Sequence, residues 1–389
     1  MTEKRTDLAL EARESFPRNH VEIQGVVLEK KKCLQGKVKI TTVIIRDEAG
    51  SKAMKKPKGT YITIESPLML HGDIDEREPF LLCVCEQLES MIKGLRKKSV
   101  LVVGLGNREV TSDSLGPKMT DALFVTRHFK EEFGASFMQE NGYGCVSAIA
   151  PGVMAQTGIE TEEVLQGIIR KTKPDLVIVV DALASRSVQR LCTTVQITDT
   201  GIEPGAGVGN RRKELTKKTL GIPVVAIGVP TVVDAATIIS DHLEHVLEKQ
   251  GYSEEEIERF IYEILTEETT DVMVTPKNID ESVNQISKDL AKVLNHCFQK
   301  RDNYGSSSIS FYEKEAYEER IKNEVWHAGR NWGDCHLFSR SAFCYKRCGE
   351  NGNSRGSGKI SCKGELFLPL EWTRRTICVS GTLRGTVLF

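Results

Sequence analysis

No apolar run in this 389-residue chain approaches the roughly 20 residues needed to cross a bilayer, and Met1-Thr-Glu-Lys-Arg-Thr-Asp7 lacks the apolar stretch of a secretory signal. A cytoplasmic protein with no membrane partner is expected. Charge of one sign is missing as well. The 53 basic residues stand against 54 acidic ones, a net charge of -1, which removes any general reason to expect nucleic acid or an anionic surface as partner. Aromatic residues are scarce, at 6%, and all three tryptophans (Trp326, Trp332 and Trp372) fall beyond residue 301. No Gly-x-Ser-x-Gly elbow surrounds Ser147 or Ser185, and nothing comparable surrounds Cys145, so His128 gains no nucleophilic partner. Cysteine is not scarce, with 11 residues, but a chain of this size without a secretory signal is expected to keep its thiols reduced. Cys83 and Cys85 are two apart in a helical pattern and face different ways. Cys335-His336, Cys344 and Cys348 have loose ligand spacing with no second clean pair, so neither a metal nor a cofactor is expected.

What is present is alternation. Val21–Leu28, Val38–Ile45 and Thr60–Ile64 read as strands of an antiparallel subregion. From about residue 79, helical and strand patterns take turns. Helices are expected near 79–97, 115–129, 160–171, 231–249, 253–267 and 278–298. Strands are expected at 99–104, 145–150, 175–181, 192–197, 223–229 and 271–275. Continuous β-branched and aliphatic runs such as Ser99-Val-Leu-Val-Val-Gly104 and Leu176-Val-Ile-Val-Val180 fit a parallel sheet buried on both faces. The fold class is α/β, three layers of helix, sheet and helix around a mostly parallel sheet. After about residue 301 this order stops, giving way to Tyr304-Gly-Ser-Ser-Ser and a second Gly/Ser/Asn-rich stretch, so residues 301–389 read as an atypical tail.

Two carboxylates stand at ends of these buried runs. Asp113 follows Ser99–Asn107 in Thr111-Ser-Asp-Ser-Leu-Gly-Pro117, and Asp181 closes Asp175–Asp181. Ligands and chemistry collect at the carboxyl ends of parallel strands, which gives the two a reason to meet. A close pair cannot easily ionise twice, so one holds a proton near neutral pH and the other stays charged, which equips them to activate water. The competing assignment for Asp113 is a helix N-cap. A dinucleotide site at Gly104-Leu-Gly106 is disfavoured by Glu109 at the third glycine position. A loop with glycines at 201, 205, 207 and 209, starting at Asp199 and ending in Arg211-Arg-Lys213, could approach a peptide carbonyl or an anion, or be a plain linker.

These residues carry a family resemblance. Arg5–Arg13, Val102–Asn107 with Asp113–Lys118, Thr126-Arg-His128, Ala150–Thr161, Asp181–Ser187, the loop 199–214, Gly221–Asp234 and Val272–Lys277 resemble the germination endopeptidase (spore protease) family of spore-forming bacteria. The resemblance runs in order over roughly residues 4–298 and implies a fold similar to the hydrogenase maturation proteases. It implies an endopeptidase acting on small acid-soluble spore proteins in the spore core, made as a self-processing precursor and assembled as a homotetramer. Its two proposed catalytic aspartates fall on Asp113 and Asp181. Its cleavage pattern, an acidic residue, a bulky apolar one, Ala, any residue and Glu, recurs in Asp7-Leu8-Ala9-Leu10-Glu11. Self-cleavage between Asp7 and Leu8 is the implied event, against a solvated helix start as the plain alternative. The implied organisation is a propeptide at 1–7, a peptidase domain at 8–300 and the tail at 301–389. Lys118, His128, Arg186, Asp199, Gly205 and Gly207 are candidate binding or supporting residues, with an ion pair as the alternative role for Lys118 and Arg186 and a helix end for His128. Two other classes compete: a metal-dependent hydrolase or maturation protease with the same aspartates as ligands, and a non-catalytic binder of spore proteins.

Overall fold

The computed structural model describes residues 6–299, apart from 15, 17–22, 210–211 and 266–271. The tail 301–389, with its Cys/His group, lies outside the described residues, as do residues 1–5.

One mixed sheet organises the described chain. Its strands are β1 (Val26–Cys33), β2 (Val38–Ile45), β3 (Gly59–Glu65), β4 (Ser99–Gly104), β5 (Cys145–Ile149), β6 (Leu176–Ser185), β7 (Thr194–Thr198), β8 (Val224–Asp234) and β9 (Met273–Val274). They lie in the order β1-β2-β3-β7-β8-β6-β4-β5, with β9 on β8. The expected parallel core is β5-β4-β6-β8. The N-terminal antiparallel strands are not a separate subregion. They extend the same sheet through β7, which pairs antiparallel with both β3 and β8. The outer strand β1 presents Glu29-Lys-Lys-Lys32 to solvent, and such charge discourages edge-to-edge pairing.

Side chains alternate across the parallel core as the pleat requires. Val100, Val102, Ile178, Val180, Val225 and Ile227 bury one face against helices Ile74–Met91, Leu115–Ala122 and Ile279–Phe298. Leu101, Val103, Val177, Val179 and Val224 bury the other against helix Thr161–Thr172, through Leu165, and against Leu215 and Leu220. Each fully buried aliphatic side chain contributes about 1.5–3 kcal/mol, and both faces are covered, which accounts for the unbroken apolar runs. Further along this second face, Val43, Ile45, Met54 and Tyr61 pack against Ala9 of the short helix Ala9–Glu14. Between the two clusters the face is open, and the site lies there.

The strand expected at Val21–Leu28 is β1 at Val26–Cys33, and other elements also depart from the sequence expectation. The helix expected at 115–129 is two, Leu115–Ala122 and Arg127–Glu140. Buried Thr126 breaks it: its N–H donates to Val146 O at 2.9 Å, and its Oγ accepts from Val146 N at 3.0 Å. Strand β8 continues through Pro230 to Asp234, where a helix start was expected. A β-bulge opposite, at Leu183/Ala184, accommodates the proline, which has no N–H to give the ladder. Strand β6 likewise runs past Asp181 to Ser185.

Candidate active site

Strand β4 ends at Gly104, paired with Val180, so Asp181 is the first residue of β6 beyond the end of its neighbour. There the chain turns back through Leu105, whose N–H donates to Val180 O at 2.8 Å. Helix Leu115–Ala122 comes close to these strand ends because Gly104 and Gly116 carry no side chains. A Cβ on Gly116 would lie 2.3 Å from Leu105 O and 2.6 Å from Val180 O. Gly106, at φ +113°, completes the turn, and a Cβ there would meet Asp113 O at 1.9 Å. These contacts hold the Thr111–Asp113 turn over the strand ends. Asp113 Oδ2 accepts from the Asn107 N–H at 2.7 Å, and Asn107 Oδ1 in turn accepts from Gln156 Nε2 at 2.9 Å.

Asp113 and Asp181 line one cleft of about 2100 Å³. Asp181 is buried, and Ala182 N–H donates to its Oδ1 at 2.9 Å. Burial raises its pKa well above the usual carboxylate range, and the carboxyls of Asp113 and Asp7 push it further the same way. Burial also raises Asp113, partly offset by the Asn107 N–H, which favours the charged form. The two aspartates therefore sense each other's charge, and their protons belong to the group of carboxyls as a whole.

The cleft contains the chain's own N-terminal segment. The Asp7 N–H donates to Ala184 O at 3.0 Å, and the Ala184 N–H donates to Asp7 Oδ2 at 2.8 Å, so the segment pairs with the end of β6. Gly207 donates its N–H to the same carboxyl, and a Cβ on Gly207 would fall 2.1 Å from Asp7 Oδ2. The glycine loop thus receives an acid group, the sort of ligand its sequence allowed. Burial raises the pKa of Asp7, opposed by the charge of Lys56 and by these two N–H donors. Leu8 and Ala9 are fully buried. Four residues after Asp7, buried Glu11 accepts from the N–H of Arg186 at 2.6 Å and of Ser187 at 3.0 Å, and pairs with Arg190 at 3.0 Å. Residues 8–11 are thus not a solvated helix start.

The other candidates divide. Gly205 and Gly207 line the cleft, with Gly205 at φ +74° turning the loop inward. Arg186 lines it too, but its guanidinium holds Asp241 at 2.6 and 2.8 Å, so it is an ion-pair residue that serves the cleft through its backbone N–H. Lys118, on helix Leu115–Ala122, is not among the lining residues. His128 is exposed on the next helix, its ring centroid 4.0 Å from that of Phe129 and tilted 49° to it. Asp199 is exposed and accepts from the Thr60 N–H at 2.8 Å, tying β3 to the end of β7.

Lys56, Gln196 and Arg190 escaped the sequence reading. Gln196 stands on the polar face of the alternating strand Thr194-Val-Gln-Ile-Thr198. Among the described residues, the one three-residue group with ligand atoms close enough to share a metal ion is Cys85, Glu89 and Cys297, on helices Ile74–Met91 and Ile279–Phe298 and outside the cleft lining.

Comparison with known proteins decides the family. The germination protease family model matches residues 3–259. The chain belongs to the germination protease family. It is 44% identical over 310 residues to the germination protease of Caldanaerobacter subterraneus subsp. tengcongensis, covering 76% of this chain and 94% of that protein. The germination proteases of Clostridium tetani, 42% identical over 311 residues (76% and 95%), and of Priestia megaterium, 39% over 360 residues (78% and 96%), are similar at comparable coverage. Among solved structures, a NiFe hydrogenase maturation protease from Thermococcus kodakarensis is 18% identical, with a TM-score of 0.27, covering 54% of this chain and 98% of that one. The germination protease family makes the chain a peptidase. No helix among its described residues is long and apolar enough to cross a membrane.

Proposed function

We propose that this germination protease is an aspartate-dependent endopeptidase that begins the degradation of small acid-soluble spore proteins and first cuts its own chain between Asp7 and Leu8. The observation that carries the reading is the segment in the cleft: Asp7 lies against the glycine loop and Glu11 against Arg190, with both carboxyls of Asp113 and Asp181 lining the same space. A substrate with an acidic residue, a bulky apolar one and a glutamate four positions after the acid would find the same partners.

Roles for the two aspartates follow from their surroundings. Asp181, buried beside two other carboxyls, keeps its proton; Asp113, with the Asn107 N–H on its Oδ2, is the better site for charge. Asp113 takes a proton from water as it attacks the Asp7 carbonyl carbon, and Asp181 supplies a proton to the leaving nitrogen of Leu8. A homotetramer in the spore core, with residues 8–300 as the working domain and 301–389 as an inert extension, belongs to the same proposal.

The test is the intact mass of the purified full chain, wild type beside Asp181→Asn and Asp113→Asn, incubated in mildly acidic buffer with and without chelator. Loss of Met1–Asp7 in the wild type alone, unaffected by chelator, is expected. Loss that chelator prevents would transfer the aspartates to a metal, and loss at wild-type rate in both variants would remove them from the chemistry.

A further inference from the structure

The Asp7 carbonyl is held by two side chains other than the aspartates. Lys56 Nζ lies 3.1 Å from Asp7 O and 3.4 Å from Thr6 O. Gln196 Nε2 donates to Asp7 O at 3.2 Å, while its Oε1 accepts from the Ala9 N–H at 2.8 Å. One amide therefore spans the bond between Asp7 and Leu8, gripping the carbonyl before it and the N–H one residue beyond it. The sheet explains the position. Asp181 on β6 pairs with Gly228 on β8, and Gly228 pairs with Gln196 on β7, so the three stand in one row on one face. With strands about 4.8 Å apart, the backbones at Asp181 and Gln196 stand roughly 10 Å apart, with Gly228 between them. A Cβ on Gly228 would come within 2.4 Å of Leu183 Cδ1, so the Leu183 side chain lies over this glycine and leaves no space for a side chain there.

Lys56 reaches the carbonyl by a turn of its own. Helix Glu48–Met54 ends at Lys55, which sits in the left-handed region at φ +50° without being glycine. Such a conformation persists where surrounding structure enforces it, and the Ser51 hydroxyl supplies a tie by donating to Lys56 O at 2.7 Å. Gln196 is buried, with 6% exposure, in a strand whose neighbours on either side are apolar. Its amide is satisfied by the docked segment.

We propose that Lys56 and Gln196 are catalytic residues that polarise the scissile carbonyl and stabilise the oxyanion formed on it. The inference rests on the reading of Asp7–Leu8 as the cleaved bond. Water adds to the Asp7 carbonyl carbon, its proton passes to Asp113, and the carbonyl π electrons move onto oxygen, where the Lys56 ammonium and the Gln196 N–H receive the charge. The intermediate collapses with cleavage of the C–N bond as Asp181 protonates the Leu8 nitrogen, leaving an Asp7 carboxyl group and a Leu8 amine. The attraction between Lys56 and the oxygen strengthens as the oxyanion forms, so its effect is larger in the transition state than in the docked precursor.

The experiment is the first-order rate of Asp7–Leu8 cleavage in the full chain, read by intact mass, for the wild type, Lys56→Met, Lys56→Arg, Gln196→Met and Asp181→Asn. Loss of one oxyanion donor costs about 10²–10³ in rate, so Lys56→Met and Gln196→Met are each expected to slow by that order, with Lys56→Arg recovering most of the loss. A parallel set carries Asp181→Asn throughout, so that nothing is cut. In that set, hydrogen exchange at residues 8–14 should match with and without Lys56→Met, showing that the segment stays docked. Cleavage by Lys56→Met at the wild-type rate would overturn the proposal, and so would slowing that comes with loss of exchange protection, since Lys56 would then only bind. If the wild type leaves the Asp7–Leu8 bond intact, the processing reading itself fails and takes this inference with it. If Asp181→Asn cuts normally while Lys56→Met does not, the dyad alone falls and the oxyanion role stands.

Discussion

Asp181→Asn should abolish cleavage and at the same time make the folded chain more stable at neutral pH. In the folded state burial, then Asp113, then Asp7 push the Asp181 carboxyl well above its usual range. In the unfolded chain it titrates near the ordinary 3.8. Between these two values the folded state holds a proton that the unfolded state has released, so stability falls as pH rises. For one proton the slope is about 1.4 kcal/mol per pH unit. Below the ordinary range both states are protonated and the group contributes no slope; above the raised value both are ionised and the full penalty is present. Asparagine carries none of this and can keep the Ala182 N–H on its side-chain oxygen. The stability difference between variant and wild type should therefore be near its minimum around pH 4, grow with rising pH at up to about 1.4 kcal/mol per unit, and then level off. Asp7 and Asp113 are raised by burial as well, so part of the proton uptake is shared among the three carboxyls. Urea unfolding of both proteins at half-unit steps from pH 4 to 8 measures this directly. A variant less stable than the wild type at pH 7, or a difference flat across the range, would refute an ionisable group held neutral at this position.

Three further substitutions test the segment and its support. Gly207→Ala would set a Cβ 2.1 Å from Asp7 Oδ2, the movable end of a side chain, so self-cleavage should slow at least tenfold while the urea midpoint of the body stays put. Glu11→Ala leaves the N–H groups of Arg186 and Ser187 unpaired at about 1–3 kcal/mol each, and limited proteolysis should then open the segment before Asp7. Gly116→Ala presses a methyl group onto backbone at 2.3 and 2.6 Å, which cannot swing aside, so a loss of about 1–3 kcal/mol or more is expected in urea unfolding, with activity falling alongside.

Strand β4 occupies Ser99–Gly104 and helix Ile279–Phe298 ends at its expected residue because long periodic apolar patterns are decided by burial, which a sequence shows directly. Asp113 and Asp181 drew notice for a related reason: each follows an unbroken apolar run of a parallel strand, although β6 continues past Asp181 to Ser185. Lys56 was not, since its position depends on a left-handed Lys55 at the end of a short helix that carries no periodic signal. Gln196 looked like an ordinary residue of the polar face of Thr194-Val-Gln-Ile-Thr198, and its position beside Gly228 depends on strand order, a long-range property. Lys118 shows the converse: five residues after Asp113 in sequence, it lies on helix Leu115–Ala122 and does not line the cleft.

The burial of Leu8 and Ala9 and the grip of Arg190 on Glu11 have a consequence for turnover. If the bond after Asp7 is cut, only the acidic side of the segment is free to go. Residues 8–14 keep their apolar packing and their ion pair, still joined to the chain that follows. A tethered occupant of this sort competes at an effective concentration of about millimolar, far above that of a dissolved rival of equal affinity. Breaking the bond and vacating the cleft are then two events with separate rates, and the second, a matter of helix Ala9–Glu14 leaving its bed on Val43, Ile45, Met54 and Tyr61, sets when the enzyme can first accept another protein.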